Sequence, residues 1–344
     1  MVRKSLLVAV LLATATPLVA QEVPVEWTSK RPDGQAPVGV MDARLLAKGQ
    51  VLIGYHFIQT DSKGLWVDND SLTLDQSLQA YPVVPRSMSN QTHEVTLAFA
   101  PASTLTLVGH MTYSQLKREE WFNYNGSLYY HETQVKELGD LQVSALYSVF
   151  NQGVVRAHIQ LGAQLPTGAY HPTAETALSG TVKGPVPYEM RTGAGTYAVL
   201  PGMTMLVQNA FGSLGVQARG TFYIGTNNND FAPGNVYDFN VWAAYKLNDY
   251  FSVSGRVHYE RWDAIKGADP SVAAYIGQDP GYNGYNAKGH IFEIPVGLNI
   301  YMPEGIHLGG NRLSIEFTRT ASQFYQGPHL GSDWGLVMGW QTVF

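Results

Sequence analysis

The stretch Trp334-Gly-Leu-Val-Met-Gly-Trp-Gln-Thr-Val-Phe344 closes the chain, and its reading decides the fold. Counting back from Phe344 in steps of two gives Thr342, Trp340, Met338, Leu336 and Trp334. The interleaved set is Val343, Gln341, Gly339, Val337 and Gly335. One face is bulky and mostly apolar, with Trp at both ends; the other is small or polar. Successive side chains point to opposite faces of a strand. A strand with this asymmetry turns its large residues toward lipid and its small ones toward a lumen, as the wall of a transmembrane β-barrel does.

Working outward, the same period-two pattern marks candidate strands at residues 51–59, 93–99, 105–113, 141–150, 155–165, 193–208, 214–224, 237–247, 251–262, 292–301, 312–320 and 334–344. That makes about twelve, and bacterial barrels need an even number. Tight turns of the expected residue types fall at 100–103, 151–153, 209–212 and 248–250. Long polar or Gly-rich segments fall at 60–90, 114–140, 166–192, 225–235 and 263–289. Short and long alternate, which is the rhythm of short periplasmic turns and long extracellular loops with both chain ends in the periplasm. A soluble β-sandwich has no reason to sort its connections this way. The turn at 302–310 is longer than its periplasmic neighbours. The expected fold class is all-β, a transmembrane antiparallel β-barrel over residues 49–344.

The amino end reads as an export signal over residues 1–20. Arg3 and Lys4 precede an apolar run, Leu6 to Ala15, too short to span a bilayer, and Ala20 offers a small residue before a cut at Gln21. Residues 21–48 carry three prolines and a Pro32-Asp-Gly34 turn signal but no strand pattern. They read either as a loose periplasmic lead-in or as a plug tucked into the lumen. There is no cysteine, which excludes anchoring through an acylated Cys, disulfide staples and thiol chemistry.

Composition agrees with a barrel. Charged residues are 14%, against about 25% in ordinary soluble domains. Mean hydropathy is nevertheless -0.11, and no run after Ala20 reaches the length of a transmembrane helix. Apolar residues are therefore plentiful but interleaved. The aromatic share of 12% is ample for girdles at the lipid interfaces. A net charge of -5 gives no basic footprint for a nucleic-acid partner. The destination implied is the outer membrane, with its lipid as the first partner.

Opposite the apolar set stand polar residues: Arg156, His158, Gln160 and Gln164, then Gln217 and Arg219, then Asp238, Asn240 and Lys246. Arg256, His258 and Glu260, then Glu293 and Asn299, then Arg312 and Glu316 follow. A charge turned toward lipid costs about 2–4 kcal/mol near the midplane, so these belong in the lumen. They either pair across a narrow interior or form a mixed-charge constriction that selects a solute, with Arg156, Arg219, Arg256, Glu260 and Glu293 narrowing the path. Pro201, followed by Gly202, and Pro295 each remove a ladder donor from a strand and predict a bulge, a kink or a later strand start. A kink beside Pro201 and Gly202 offers a sideways window into the bilayer.

Trp121, Phe122, Tyr124, Tyr129 and Tyr130 form an aromatic cluster expected on an outer loop, as a membrane girdle or a capture patch. Asp68-Asn-Asp70 and Asn227-Asn-Asn-Asp230 gather oxygens without full calcium-ligand spacing. The ten histidines stand singly, so neither a metal nor a cofactor is expected. Enzyme chemistry has little support: no strand carries His-x-Ser, and the nearest pattern is His110-Met-Thr112, whose hydroxyl needs special activation.

Several segments resemble a known family. They are Arg31-Pro-Asp-Gly-Gln-Ala-Pro-Val-Gly-Val-Met41, Leu165-Pro-Thr-Gly168, Gly195-Thr-Tyr-Ala-Val-Leu-Pro-Gly202 and Gly267-Ala-Asp-Pro270. Leu298-Asn-Ile-Tyr-Met-Pro-Glu-Gly305 and Gly327-Pro-His-Leu-Gly-Ser-Asp-Trp334 complete the set. Together they are similar to outer-membrane transporters grouped with the barrels named for the meta-pathway of phenol degradation. The resemblance implies an outer-membrane channel passing a small solute, aromatic or hydrophobic compounds included. The terminal Phe344 resembles the aromatic end that barrel-assembly machinery recognises, although Thr342 departs from the apolar residue usual there. Alternatives are a sealed structural or surface-binding barrel and an outer-membrane hydrolase.

Overall fold

A computed structural model describes residues 26–303 and 309–344. The expected export signal, and the middle of the 302–310 turn, lie outside the described residues.

The wall is a closed antiparallel sheet. In chain order its strands are Val51–Asp68, Val83–Ala102, Leu105–Tyr124, Leu141–Gln152, Val155–Leu165, Ala198–Gln208, Gly212–Tyr223, Val236–Lys246, Phe251–Trp262, Val296–Tyr301 and Arg312–Val343. Three further segments, Asp70–Ser71, Ser127–Leu138 and Gly289–Glu293, bond to this ring from above. Eleven staves cannot all alternate in direction and still close antiparallel, yet the last strand pairs antiparallel with both Val296–Tyr301 and Val51–Asp68. The parity is restored because residues 312–343 double back. Residues 312–325 pair with the preceding staves and residues 325–343 with the first. Phe317 stacks on Trp334 with ring centroids 6.2 Å apart, and the Thr320 and Ser332 hydroxyls are 2.9 Å apart. The ring thus has the even wall that the sequence calls for.

Strand propensity runs further than the periodicity suggests. The 60–90 and 114–140 segments are not loops at their bases, because Val83–Ala102 and Leu105–Tyr124 are 20 residues each. At about 3.3 Å per residue such strands are far longer than the ~30 Å hydrocarbon core, so their outer ends stand clear of it. One such extension is a hairpin turning on Asn125-Gly126, both at positive φ (50° and 79°), the conformation a two-residue hairpin turn demands.

The expected alternation governs exposure. Leu97, Leu161, Met203 and Val241 are among the most exposed apolar side chains, at 55–64%. Their inward neighbours Thr96, Gln160, Thr204 and Asn240 are buried. Burial of polar groups inside a channel wall requires something to cover them, and residues 26–50 provide it. They enter at the periplasmic turns, where Trp27 N–H donates to the Gly153 carbonyl at 3.0 Å, and leave where Gly49 N–H donates to the Ala100 carbonyl at 2.8 Å. Between these points Val40 packs on Leu206 and Trp242, while Leu46 packs on Leu52, Ala98, Val108 and Leu146. Burying such a side chain contributes about 1.5–3 kcal/mol, enough to hold a segment that has no sheet hydrogen bonds of its own.

Candidate functional site in the lumen

The lower lumen is built by the wall reaching for the backbone of residues 26–50. Arg312 is buried and donates to the carbonyls of Ser29 (3.1 Å), Arg31 (2.7 Å) and Pro32 (2.7 Å). Arg31 closes a two-pronged ion pair on Asp33 at 2.9 and 2.8 Å, and the Ser213 hydroxyl donates to the Asp33 carbonyl at 2.6 Å. The tip of the segment is Asp42, held at φ 53°, a left-handed conformation that Asp tolerates better than most residues. Its carboxylate meets His110 Nε2 at 2.7 Å, Gln160 Nε2 at 3.0 Å and Arg219 at 3.6 Å, and His158 Nε2 sits 2.9 Å from its carbonyl. Gly39 lies against the Arg256–Glu316 pair with no room for a Cβ.

The residues expected in the lumen do not form one ring. Arg156 sits low, bonded to the Gly153 and Val155 carbonyls with its guanidinium 5.8 Å from the Trp27 ring centre. His158 and Arg219 serve Asp42. Arg256 pairs with Glu316 at 2.6 Å and also donates to Asn240. Higher up, His258 bridges Asp238 (2.9 Å) and Glu293 (2.8 Å), and Glu260 adjoins them. The ligand atoms of Asp238, His258 and Glu260 lie within 4.8 Å of one another. The singly scattered histidines of the sequence hid this, because it takes the register of strands 236–246 and 251–262 to set Asp238 opposite Glu260.

The wall-kink expectation is corrected at Pro201. Pro201 pairs with Leu161, and its strand keeps one register across the lost donor, from Val199–Phe222 to Gly202–Arg219. Pairing with the next strand lapses only at Leu200 and Pro201, and Gly202 is packed by the Arg219 and Gln160 side chains. Pro295 differs: one strand ends at Glu293, the next begins at Val296, and pairing with the last strand shifts by one residue between Phe292 and Glu293, while Arg256 N–H donates to the Pro295 carbonyl. The wall is interrupted elsewhere, at Gly139-Asp140, where strand Ser127–Leu138 gives way to Leu141–Gln152. Here the outer segment 166–195 is let into the wall. Gly168 packs so closely that a Cβ would come 2.6 Å from the Gly139 carbonyl carbon, and Gly193 packs on Gly168 in turn. The Asp140 carboxylate stitches the seam, accepting from Gly168 N–H (2.8 Å), Ala194 N–H (2.8 Å) and Gln164 Nε2 (2.7 Å). The Gly139-Asp140 pair was a turn signal in plain sight within a segment read as a loop.

Behind the seam lies a cavity of about 320 Å³, between His110 below and Tyr188, Arg191 and Phe231 above. Outer segments roof it through ion pairs. Arg118 is fully buried and holds Asp279 in a two-pronged pair (2.8 and 2.7 Å), Glu189 at 2.7 Å, and Glu120. Arg191 pairs with Asp269 at 2.8 Å and lies over the Tyr188 and Phe231 rings, 4.4 and 4.8 Å from their centres. Burial raises the Asp269 carboxyl, but hydrogen bonds from Ser271, Asn229 and Arg191 outweigh it and leave the group below its ordinary value. The Asn227–Asp230 cluster is spent on the roof: Asn227 caps its own turn and donates to the Ala194 carbonyl at 2.9 Å. The aromatic cluster sits on the projecting hairpin rather than a loop, with Phe122 stacked on Tyr129 (5.5 Å), Trp121 edge-on to Tyr130 (5.8 Å), and Tyr124 against Tyr129.

A closed antiparallel barrel, apolar outside and polar within, with its short turns and both described chain ends at one rim, defines the outer-membrane class of β-barrel. The chain belongs to the family described as "Putative MetA-pathway of phenol degradation", whose model matches residues 86–282. Among solved structures it is similar to an outer-membrane channel from Pseudomonas putida F1, with a TM-score of 0.59 at 11% identity over 89% of this chain and 99% of that one. The Ralstonia pickettii toluene transporter matches at 8% identity and a TM-score of 0.42, over 91% and 92% of the two chains. At these identities the likeness is one of fold. No curated protein sequence matches the chain.

Proposed function

We propose that this protein is a passive outer-membrane channel for small apolar or aromatic solutes, plugged at its periplasmic end by residues 26–50. The observation that carries this reading is the near-complete burial of polar inward residues: His158, Gln208, Gln217 and Glu316 are each at most 1% exposed. A water-filled pore would leave them wet. A solute that reaches the cavity therefore leaves sideways, through the glycine seam at Gly139, Gly168 and Gly193, into the bilayer where apolar molecules partition. Phe344, 72% exposed and tied to Val51 by two backbone bonds (3.1 and 2.9 Å), is the handle for assembly machinery.

We read the chain as a channel and not a hydrolase. Thr96, His110 and Asp42 do stand in a hydroxyl–imidazole–carboxylate row (3.1 and 2.7 Å). All three are buried between plug and wall, and Thr96 also faces Glu94. The cavity that Thr96, His110 and Asp42 line is only about 80 Å³, too small for a lipid or peptide substrate.

The test pairs two assays on the purified mature protein, with and without residues 21–48. Planar-bilayer recording is expected to show silence in the full chain and ohmic steps after truncation. Proteoliposomes of the full chain are expected to take up a monocyclic aromatic hydrocarbon faster than empty ones, and Asp140→Ala is expected to change that rate several-fold. Open steps in the full chain would replace this reading with a straight polar pore. Silence with no uptake would favour a sealed barrel whose outer surface does the work.

A further inference from the structure

We propose that Asp238, His258 and Glu260 form a binding site for one divalent transition-metal cation in the upper lumen, with Glu293 orienting the histidine. The placement follows from strand geometry. His258 and Glu260 are two apart and share the inward face of one strand, and Asp238 stands opposite Glu260 on the next. Their candidate ligand atoms already lie within 4.8 Å of one another, so a modest closure brings them to the spacing that metal bonds of about 2.0–2.2 Å require.

The histidine is prepared as a ligand would be. Nδ1 faces Glu293 Oε2 at 2.8 Å, and the Thr320 hydroxyl donates to the other Glu293 oxygen at 3.4 Å. A carboxylate on one ring nitrogen fixes the proton there and turns the other toward a metal; this outer partner accompanies most metal-bound histidines. Nε2 is then the donor atom, 2.9 Å from Asp238 Oδ2, while Asn240 Nδ2 holds Asp238 Oδ1 at 2.5 Å. Glu260 makes no hydrogen bond or ion pair among the described residues, and it borders a cavity of about 230 Å³ that also touches Tyr188, Glu189 and His329. The cluster therefore has an uncommitted carboxylate side chain and room beside it.

Charge favours a cation. Three carboxylates face one imidazole; Arg256 is committed to Glu316 and Asn240, and Arg219, opposite Asp238 on the neighbouring strand, reaches toward Asp42 at 3.6 Å. One nitrogen and two oxygens suit zinc, manganese, cobalt or ferrous iron better than copper(I), which prefers sulfur, or calcium, which prefers all-oxygen shells. Binding exchanges the Nε2 proton, where present, for the metal and forms no other bond.

The experiment uses the full mature chain in detergent, stripped with a chelator and then freed of it. Cobalt(II) is followed by its visible absorption and zinc(II) by calorimetry. Saturation at one equivalent is expected, weakened at least tenfold in Glu260→Gln and His258→Gln and less in Glu293→Gln. The retained heat-modifiable gel shift reports that each variant still folds. No saturable signal in the wild-type protein would overturn the site, as would Glu260→Gln binding with unchanged affinity. Binding that survives every variant would place the metal elsewhere and equally refute it. None of these outcomes depends on what the channel carries.

Discussion

The two halves of the lumen are closed by different chemistry. Below, the wall grips residues 26–50 mainly through hydrogen bonds to backbone carbonyls and through apolar contacts, with Arg312 and Asp42 as the charged anchors. Above, the roof is held by ion pairs between side chains of the wall and of the outer segments, Arg118 with Asp279, Glu120 and Glu189, and Arg191 with Asp269. The carbonyl acceptors and apolar contacts in the lower grip are indifferent to acidity and salt, with the Asp42 and Asp33 pairs as its titratable part. A carboxylate–guanidinium grip is not. On the proposed reading, the difference makes the periplasmic end the fixed closure and the outer mouth the end that responds to its surroundings.

The comparison breaks most sharply at Arg118. Replacing it with Ala leaves Glu120, Glu189 and Asp279 facing one another in a dry site, and removing one partner of such a buried set costs about 3–5 kcal/mol. The loss should fall on the roof alone. Proteolytic nicking within 166–197 and 263–288 is expected to rise more than tenfold, with the heat-modifiable shift of the barrel intact. Equal protection in variant and wild type would mean the roof is held by its packing.

Next in size is Arg312→Ala, which deprives three carbonyls of a charged donor. Hydrogen bonds to charged groups contribute about 1.5–3 kcal/mol each, so most of the anchor is lost even after solvent replaces some of it. Brief ohmic openings are expected in planar bilayers where the parent is silent, and roof proteolysis should be unchanged. If Arg118→Ala opens the channel and Arg312→Ala does not, the roles assigned to the two ends are reversed.

What the sequence made legible follows from how local each signal is. The barrel could be read from residues 334–344 because a period of two survives in any short window, and inward placement of Arg156, Arg219, Arg256 or Glu316 followed from the penalty of facing lipid. Which inward residues meet could not be read. Asp42 reaches His110 across 68 positions and Arg118 reaches Asp279 across 161. Such pairs are set by register and by loops folding over the mouth. Residues 26–50 left both readings open since a segment without sheet bonds has no periodicity to betray where it lies. Pro201 misled for a physical reason as well: one missing donor is absorbed when the register is held on both sides. At the glycine seam the wall strand is interrupted by close backbone approach of Gly139, Gly168 and Gly193, which a proline does not supply.

A smaller effect distinguishes the seam from the proline. Pro201→Val should leave uptake of an aromatic hydrocarbon within twofold of the parent, because the strand is already in register there. Asp140→Ala, which removes the acceptor for two backbone amides and Gln164, should alter it several-fold. The opposite pair of results would return the exit to Pro201.

The smallest expected effect is the response of the roof to acid through Asp269. Its folded-state value is depressed, so its contribution to the roof is fully present above the unfolded value of about 3.9 and is lost as pH falls through the still lower folded value. Acidification below about pH 4 should therefore release the Arg191 tie and raise amide exchange around residues 186–194 and 269–275. Asp269→Asn should raise exchange there already at neutral pH and flatten the further change on acidification. The lower lumen supplies the internal reference at Val40, whose amide donates to the Pro37 carbonyl and whose side chain packs on Leu206 and Trp242; none of these titrates, and exchange at Val40 should stay level across the same range. If both regions loosened together and Asp269→Asn kept the full acid response, the contrast between a fixed lower end and a responsive mouth would fall.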